Sequence, residues 1–343
     1  MIEKIAKDRN ITLSQLEFLL TTEDKAVLED LQKKAQAIAQ AIYGKQIFMR
    51  GLIEFTNICK NDCYYCGIRK SNSYIERYRL NLETILECCQ KGYNLGFRTF
   101  VLQGGEDSYF TDAMVCECVS AIKLQHPDCA VTLSIGERSR ASYQQFFRAG
   151  ADRYLLRHET ANTEHYSLLH PEKMSLSVRK QCLYDLKEIG FQVGCGFMVG
   201  SPYQTIATLF EDLQFIRQLQ PQMVGIGPFI PEHNTPFAQE PAGTMDRTLR
   251  LLALVRLLQP NVLLPATTAL GTIHPHGREQ GILHGANVIM PNLSPLEVRD
   301  KYLLYDNKIS VGDEAAESLE DIRKKLKIIG YDVVVDRGDY KLE

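Results

Sequence analysis

The sequence predicts an α/β protein: a closed (β/α)8 barrel of the TIM type, with an N-terminal helical extension and a short C-terminal α/β tail. Three observations point there. Eight apolar runs have strand length, helix-like stretches separate them, and small or polar residues gather where the runs end. An open doubly wound sheet is the alternative that a strand count leaves open. With 343 residues, 45% of them hydrophobic, the chain can bury a large core either as one extended domain or as two.

Residues 1–45 read as a helical cap. Leu16, Leu19, Leu20, Val27, Leu28 and Leu31 recur at helical spacing among Asp, Glu and Lys, and no proline interrupts them. The barrel follows over 46–300. Its strand candidates are QIFMRGLIEF (46–55), TFVLQG (99–104), AVTLSIG (130–136), RYLLRHE (153–159), QVGCGFMVG (192–200), MVGIGPFI (223–230), VLLPATT (262–268) and ANVIMPN (286–292). Helix candidates between them include 81–96 with Asn81 as N-cap, 174–190 ending on the C-cap glycine Gly190, 205–219 and 244–258. Residues 301–343 add one more short α/β segment packed on the barrel.

Composition narrows the partners. Net charge is -3 and Lys and Arg are scattered, so no basic patch is available for nucleic acid and a small molecule is the expected ligand. No run approaches about 18 uninterrupted apolar residues, and MIEKIAKDRN lacks the apolar core of a secretory signal. The expectation is a cytoplasmic protein with reduced thiols rather than a disulfide framework, although it has 10 cysteines. Cys88, Cys89, Cys116, Cys118, Cys129, Cys182 and Cys195 lie in helical or strand patterns and read as small buried hydrophobes.

The other three have ligand spacing. After the first strand the chain reads EFTNICKNDCYYCGIRK, which gives Cys59-x3-Cys63-x2-Cys66. Three thiolates on one loop can hold three corners of a 4Fe-4S cubane and leave the fourth iron open for chemistry. Structural zinc would want a fourth protein ligand, and no His or further Cys follows Cys66 within about 20 residues. The spacing resembles that of the radical S-adenosylmethionine superfamily, whose open iron is chelated by the amino and carboxylate groups of S-adenosylmethionine. Tyr65, before the last cysteine, matches that pattern too.

Residues at the other strand ends fit a site there. Gly104-Gly105-Glu106 after the second strand resembles the superfamily's glycine-glycine-glutamate motif. In the fourth strand, Arg153, Leu155, Arg157 and Glu159 share one face by parity, and Tyr154, Leu156 and His158 the other. Charge in a barrel lumen must be paired or used. Arg157 and Glu159 therefore form either a structural ion pair or a functional pair, with Glu159 on S-adenosylmethionine and Arg157 on an anionic group of the substrate. His158 faces outward and reads as structural. Thr132, Ser134 and Gly136 share a face of the third strand, and Gly194, Gly196 and Met198 one of the fifth, which turns Cys195 away from the lumen. The later histidines (His233, His274, His276, His284) invite a metal reading, and His274-Pro275-His276 could chelate, but the proline gives divergent geometry, no carboxylate is spaced to help, and no metal is expected there. No phosphate-binding GxxxxGK[ST] loop occurs, and no GxGxxG follows a strand, so ATP and nicotinamide are not expected.

Longer segments carry a narrower resemblance. IEFTNICKNDCYYCGIRK, VLQGGED, VTLSIGE, ADRYLLRHETAN, VGIGPFIPEHNTPFA, PATTALGTI and GANVIMPN are similar to HydE, the family of radical S-adenosylmethionine maturases of FeFe hydrogenases. The resemblance implies cluster ligation by Cys59, Cys63 and Cys66. It implies S-adenosylmethionine contacts from Tyr65, Gln103, Gly104, Ser134, Glu159, Arg179 and Met198, and a substrate pocket of Thr132, Arg157, Met223, Thr267, Thr268 and Met290, with Arg157 and Glu159 catalytic. It implies reductive cleavage to a 5'-deoxyadenosyl radical, a one-electron reductant protein and other hydrogenase maturases as partners. The implied substrate is a small molecule or a mononuclear iron unit, a cysteine-bound iron carbonyl cyanide precursor of the diiron subcluster. Some family members carry extra C-terminal cysteines for a second cluster; here none follows Cys195, so one cluster is expected. The methylornithine synthases, radical mutases of a free amino acid, share the layout and are the alternative, as is a non-catalytic iron-sulfur scaffold.

Overall fold

The structure, a computed structural model, describes residues 1–309 and 316–342; the part of the predicted tail over 310–315 lies outside the described residues. Helices α1 (Ile2–Asp8), α2 (Leu13–Thr21) and α3 (Lys25–Tyr43) precede β1 (Gln46–Met49) and β2 (Gly51–Thr56). Next come α4 (Leu82–Asn94), β3 (Thr99–Gly104), α5 (Asp112–Gln125), β4 (Ala130–Ser134), α6 (Arg140–Arg148) and β5 (Arg153–Leu155). The chain continues through α7 (Thr163–Leu169), α8 (Leu176–Ile189), β6 (Gln192–Cys195), β7 (Met198–Val199), α9 (Ile206–Leu219), β8 (Met223–Val224) and β9 (Gly227–Pro228). It ends with α10 (Met245–Leu258), α11 (Thr268–Ile273), α12 (Gly277–Leu283), β10 (Val288–Ile289), α13 (Leu296–Arg299), α14 (Leu319–Ile328) and β11 (Asp332–Val334).

The helix ends follow from capping side chains. Asn81, Thr205 and Thr244 each accept the backbone N–H of the residue three positions on, and Gly190 closes α8 in the left-handed region at φ 111°. Helix α2 lies against α9, and α3 against α10, burying Leu16, Leu19, Leu31 and Ala35.

Parallel pairing runs β2-β3-β4-β5-β6-β8. Met223 then bridges Leu263, Pro265 bridges Val288, β10 pairs with β1, and Leu52 bridges Asn292. The circle is closed, as the eight runs predict. Individual strands are shorter than their apolar runs. The first is broken at Arg50, where its neighbour on one side changes from β11 to β3. The fourth stops at Leu155 instead of Glu159, and the fifth is interrupted at Gly196, φ 154°. The seventh is reduced to the bridging residues Leu263 and Pro265, because proline has no N–H to continue a ladder; Thr267 and Thr268 start α11 instead.

The floor of the barrel is built by the segment after β11. Arg153, buried at the start of β5, donates to Thr99 Oγ1 (2.9 Å), the Arg337 carbonyl (2.9 Å) and Asp339 Oδ1 (2.6 Å). Gln192 Nε2 also donates to Asp339, and Asn261 Nδ2 to the Lys341 carbonyl. The three acceptors from that segment, Arg337, Asp339 and Lys341, meet residues at the N-terminal ends of the staves. Burial works against the Asp339 charge, but Arg337, Arg153 and Gln192 outweigh it and hold its pKa at about 2. A depressed carboxylate stabilises the fold above its unfolded pKa near 3.9, and the contribution disappears as pH falls through about 2. Because the side chain is 41% exposed, solvent screening reduces the expected contribution to about 1–2 kcal/mol. Unfolding free energies from urea titration of the cluster-free chain and Asp339→Asn should differ by that amount above pH 5 and converge toward pH 2; a gap that persists at pH 2 would exclude this linkage.

Candidate active site

The cysteine loop follows β2 at the C-terminal mouth, where barrel sites form. One side chain frames it: the Arg77 guanidinium donates to the carbonyls of Asn57 (2.5 Å), Ile68 (2.9 Å), Arg69 (2.6 Å) and Asn72 (2.9 Å). Asp62 accepts from Arg69 and Ser71 and is held well below the usual carboxylate range, chiefly by Arg69. The loop lies directly on the turn after β3. Lys60 N–H donates to the Glu106 carbonyl (3.0 Å), and a Cβ on Gly105 would stand 2.2 Å from the Ile58 oxygen and 2.8 Å from Cys59 Cβ. Only glycine fits there.

Cys59, Cys63 and Cys66 are free thiols. Burial pushes all three upward, Cys63 to about 12, so each keeps its proton until iron displaces it. They do not gather as ligands of one ion: their Sγ atoms are not all within 4.8 Å of one another, whereas tetrahedral zinc would hold thiolates roughly 4 Å apart. Thiols on one loop, spread wider than that and lacking a fourth protein ligand, suit the corners of a cubane.

Around them stand the residues that the sequence singles out. Tyr65 donates its hydroxyl to His170 Nε2 (3.0 Å), while His170 Nδ1 donates to the Tyr166 carbonyl (2.9 Å). That network assigns the tautomer, and burial holds His170 neutral with a pKa near 3. Met198 packs with Tyr64, Tyr65, Phe229 and Phe237 beside the loop. Gln103 and Ser134 are register partners at the ends of β3 and β4, next to Gly104. Arg179, on α8, pairs with Glu137 (2.7 Å), which keeps the guanidinium charged although burial opposes it.

Deeper in the lumen, Arg157 Nη2 lies 3.1 Å from Glu159 Oε2 without a well-directed hydrogen bond. Glu159 sits in the left-handed region at φ 65°, its N–H tied to the Gly196 carbonyl (3.0 Å), a strain of order 1 kcal/mol or more that packing must hold. Behind it His158, paired with Asp212 at 3.3 Å, faces the outer core as parity predicts, and so does Cys195. Met223 packs with Leu263 and Val288, with Leu155 and Met290 against them, and Thr132 lines the same space. Thr132 Oγ1 and Thr267 Oγ1 are buried without hydrogen-bond partners among the described residues. Thr268, in α11, is partnered.

Sequence reasoning misses Arg50. It is fully buried, lines the lumen with Thr132, Arg153 and Met223, and leaves Nε and Nη2 without partners among the described residues. Burial and neighbouring Arg153 work against its charge. A charged residue inside the apolar run QIFMRGLIEF is the signal that could have found it. His170 and Glu137 carry no such signal. A larger apolar cavity of about 330 Å3 lies outside the barrel wall under α4 and α5, lined by Phe55, Leu102 and Ile135, away from the thiols.

A family model for the radical SAM superfamily matches residues 53–216. The chain is 42% identical over 330 residues to the [FeFe] hydrogenase maturase subunit HydE of Thermotoga maritima, covering 96% of this chain and 94% of that protein. The chain belongs to the HydE-type radical SAM enzymes. Membership carries the 4Fe-4S cluster and S-adenosylmethionine as cofactors, and the thiol spacing, the unpartnered lumen groups and the Gly105 cradle fit them. The chain is also 27% identical to 3-methylornithine synthase of Methanosarcina barkeri, over 96% of this chain and 92% of that one. The crystal structure of methylornithine synthase superposes with a TM-score of 0.85 at 25% identity, covering 97% of each chain. That of HydG, a maturase of the [FeFe]-hydrogenase, gives 0.80 at 22% identity over 96% of this chain and 74% of that one, a likeness of fold. No helix among the described residues is long and apolar enough to cross a membrane.

Proposed function

We propose that this HydE-type enzyme takes part in [FeFe] hydrogenase maturation by acting on a small anionic substrate, an iron-bound precursor of the diiron subcluster, enclosed beneath its cluster loop. The observation that carries the reading is a lumen guanidinium whose ion pair is poorly directed. Arg157 Nη2 lies 3.1 Å from Glu159 without a well-directed hydrogen bond, so a buried anionic group would complete its shell. The full-length likeness to a maturase supports placing that substrate in hydrogenase maturation.

When bound, the cluster and S-adenosylmethionine supply one-electron radical chemistry. Cys59, Cys63 and Cys66 would hold the cluster. Tyr65, fixed by His170, with Gln103, Gly104, Ser134, Glu159, Arg179 and Met198, would orient S-adenosylmethionine. Thr132, Met223, Thr267, Thr268 and Met290 would shape the chamber and exclude water, while Arg157 holds the substrate's anionic group. The electron donor and the partner maturases belong to the same reading.

The test is an in-vitro maturation mixture for an [FeFe] hydrogenase lacking its own HydE subunit. Adding this reconstituted chain with S-adenosylmethionine should restore hydrogen evolution. No restoration, together with a methylornithine product from L-lysine, would favour the mutase reading instead.

A further inference from the structure

We propose that Glu232, His233 and Asp306 form a binding site for one divalent transition-metal ion, separate from the cysteine loop. His233 Nδ1 lies 2.7 Å from Asp306 Oδ1 and 3.4 Å from Glu232 Oε1, and one ligand atom from each residue falls within 4.8 Å of the others. The His233–Glu232 separation matches the ~3.4 Å between ligand atoms of a tetrahedral ion at about 2.0–2.2 Å, and the shorter His233–Asp306 contact is a hydrogen bond that the ion would replace.

Charge balance points the same way. The Glu232 side chain is 2% exposed, and among the described residues no Lys or Arg pairs with its carboxylate. Its other contacts are Asn234 N–H (2.9 Å) and Asn234 Nδ2 (3.3 Å). Two carboxylates thus compete for one imidazole, and a buried carboxylate is costly unless paired or coordinated. A divalent cation would satisfy all three groups. Imidazole with two carboxylates selects zinc, iron(II), cobalt(II) or manganese(II) over calcium, with water completing the shell. Sequence spacing conceals the set, because Asp306 lies 73 residues from His233.

The position gives the ion a structural task. Asp306 N–H donates to the Pro231 carbonyl (3.0 Å), and Gly67 N–H, next to Cys66, donates to the Leu304 carbonyl (2.9 Å). A Cβ on Gly67 would stand 2.9 Å from Glu232 Cγ and 2.1 Å from the Leu303 oxygen. An ion here would tie the loop after β9 and the segment before the tail against the back of the cysteine loop.

Cobalt(II) titration of the full chain carrying Cys59→Ala, Cys63→Ala and Cys66→Ala, stripped with chelator, tests this without competition from the three thiols. One ion should bind, with weak visible ligand-field bands and no thiolate charge-transfer band. His233→Ala and Asp306→Asn should each weaken it by at least ~10-fold, and His274→Ala should not. His233 is exposed and Asp306 half-buried, and circular dichroism will show that the variants fold. Cobalt should also slow hydrogen exchange of the backbone amides at positions 66 and 67. Binding that survives His233→Ala, a thiolate band, or no binding tighter than ~0.1 mM would overturn the site; binding without slowed exchange would overturn the tie to the loop.

Discussion

Replacing Cys63 by alanine is expected to drop iron from about four atoms per chain to below one, and 5'-deoxyadenosine formation by at least ~10³-fold. With only three thiols in the loop, loss of one leaves two corners of a cubane, too few to hold it against dissociation. Cys182→Ala is the matching control. Its thiol is buried against the helical layer, donating weakly to the Arg138 carbonyl, so its removal should cost stability of about 1 kcal/mol and leave iron content unchanged. Iron analysis and product chromatography after reduction in the presence of S-adenosylmethionine decide the matter. A normal cluster in Cys63→Ala, or a lost one in Cys182→Ala, would refute the ligand assignment.

Arg157→Met is expected to lower substrate turnover by roughly 10²–10³-fold while the cluster stays intact and S-adenosylmethionine cleavage without substrate changes little. The guanidinium stands beside Glu159 at 3.1 Å, poorly aligned for a hydrogen bond and so available to a second anion. Methionine keeps an unbranched apolar stem and removes the charge. Arg157→Lys should recover part of the loss, since a point charge returns without the planar fork. If instead both variants turn over substrate normally but melt earlier, Arg157 is a structural partner of Glu159 and nothing more.

Capping explains why some of this was readable from residues and some not. Asn81, Thr205, Thr244 and Gly190 act on backbone groups within four positions, so their helix ends are local facts. The thiol loop is local too. Strand ends depend on neighbours: RYLLRHE alternates throughout, yet pairing stops at Leu155 and Glu159 turns to φ 65°. The seventh stave lost its ladder to Pro265, a residue in plain sight whose effect needed a partner strand to appear. Arg50 and the Arg153–Asp339 floor were hidden for another reason. Their roles rest on contacts across most of the chain, and no periodicity carries such information.

The pairing of β11 with β1 also sets an order of events. Gln46 cannot meet Asp332 until everything between them has been made, roughly 15–60 s of synthesis at about 5–20 residues per second. The stave that leads into Cys59, Cys63 and Cys66 is thus started early and finished late, with a long loop-closure cost to overcome first. Iron delivered during translation would meet three thiols on an open edge. Closure of that stave is a late step, gated by arrival of a distant strand.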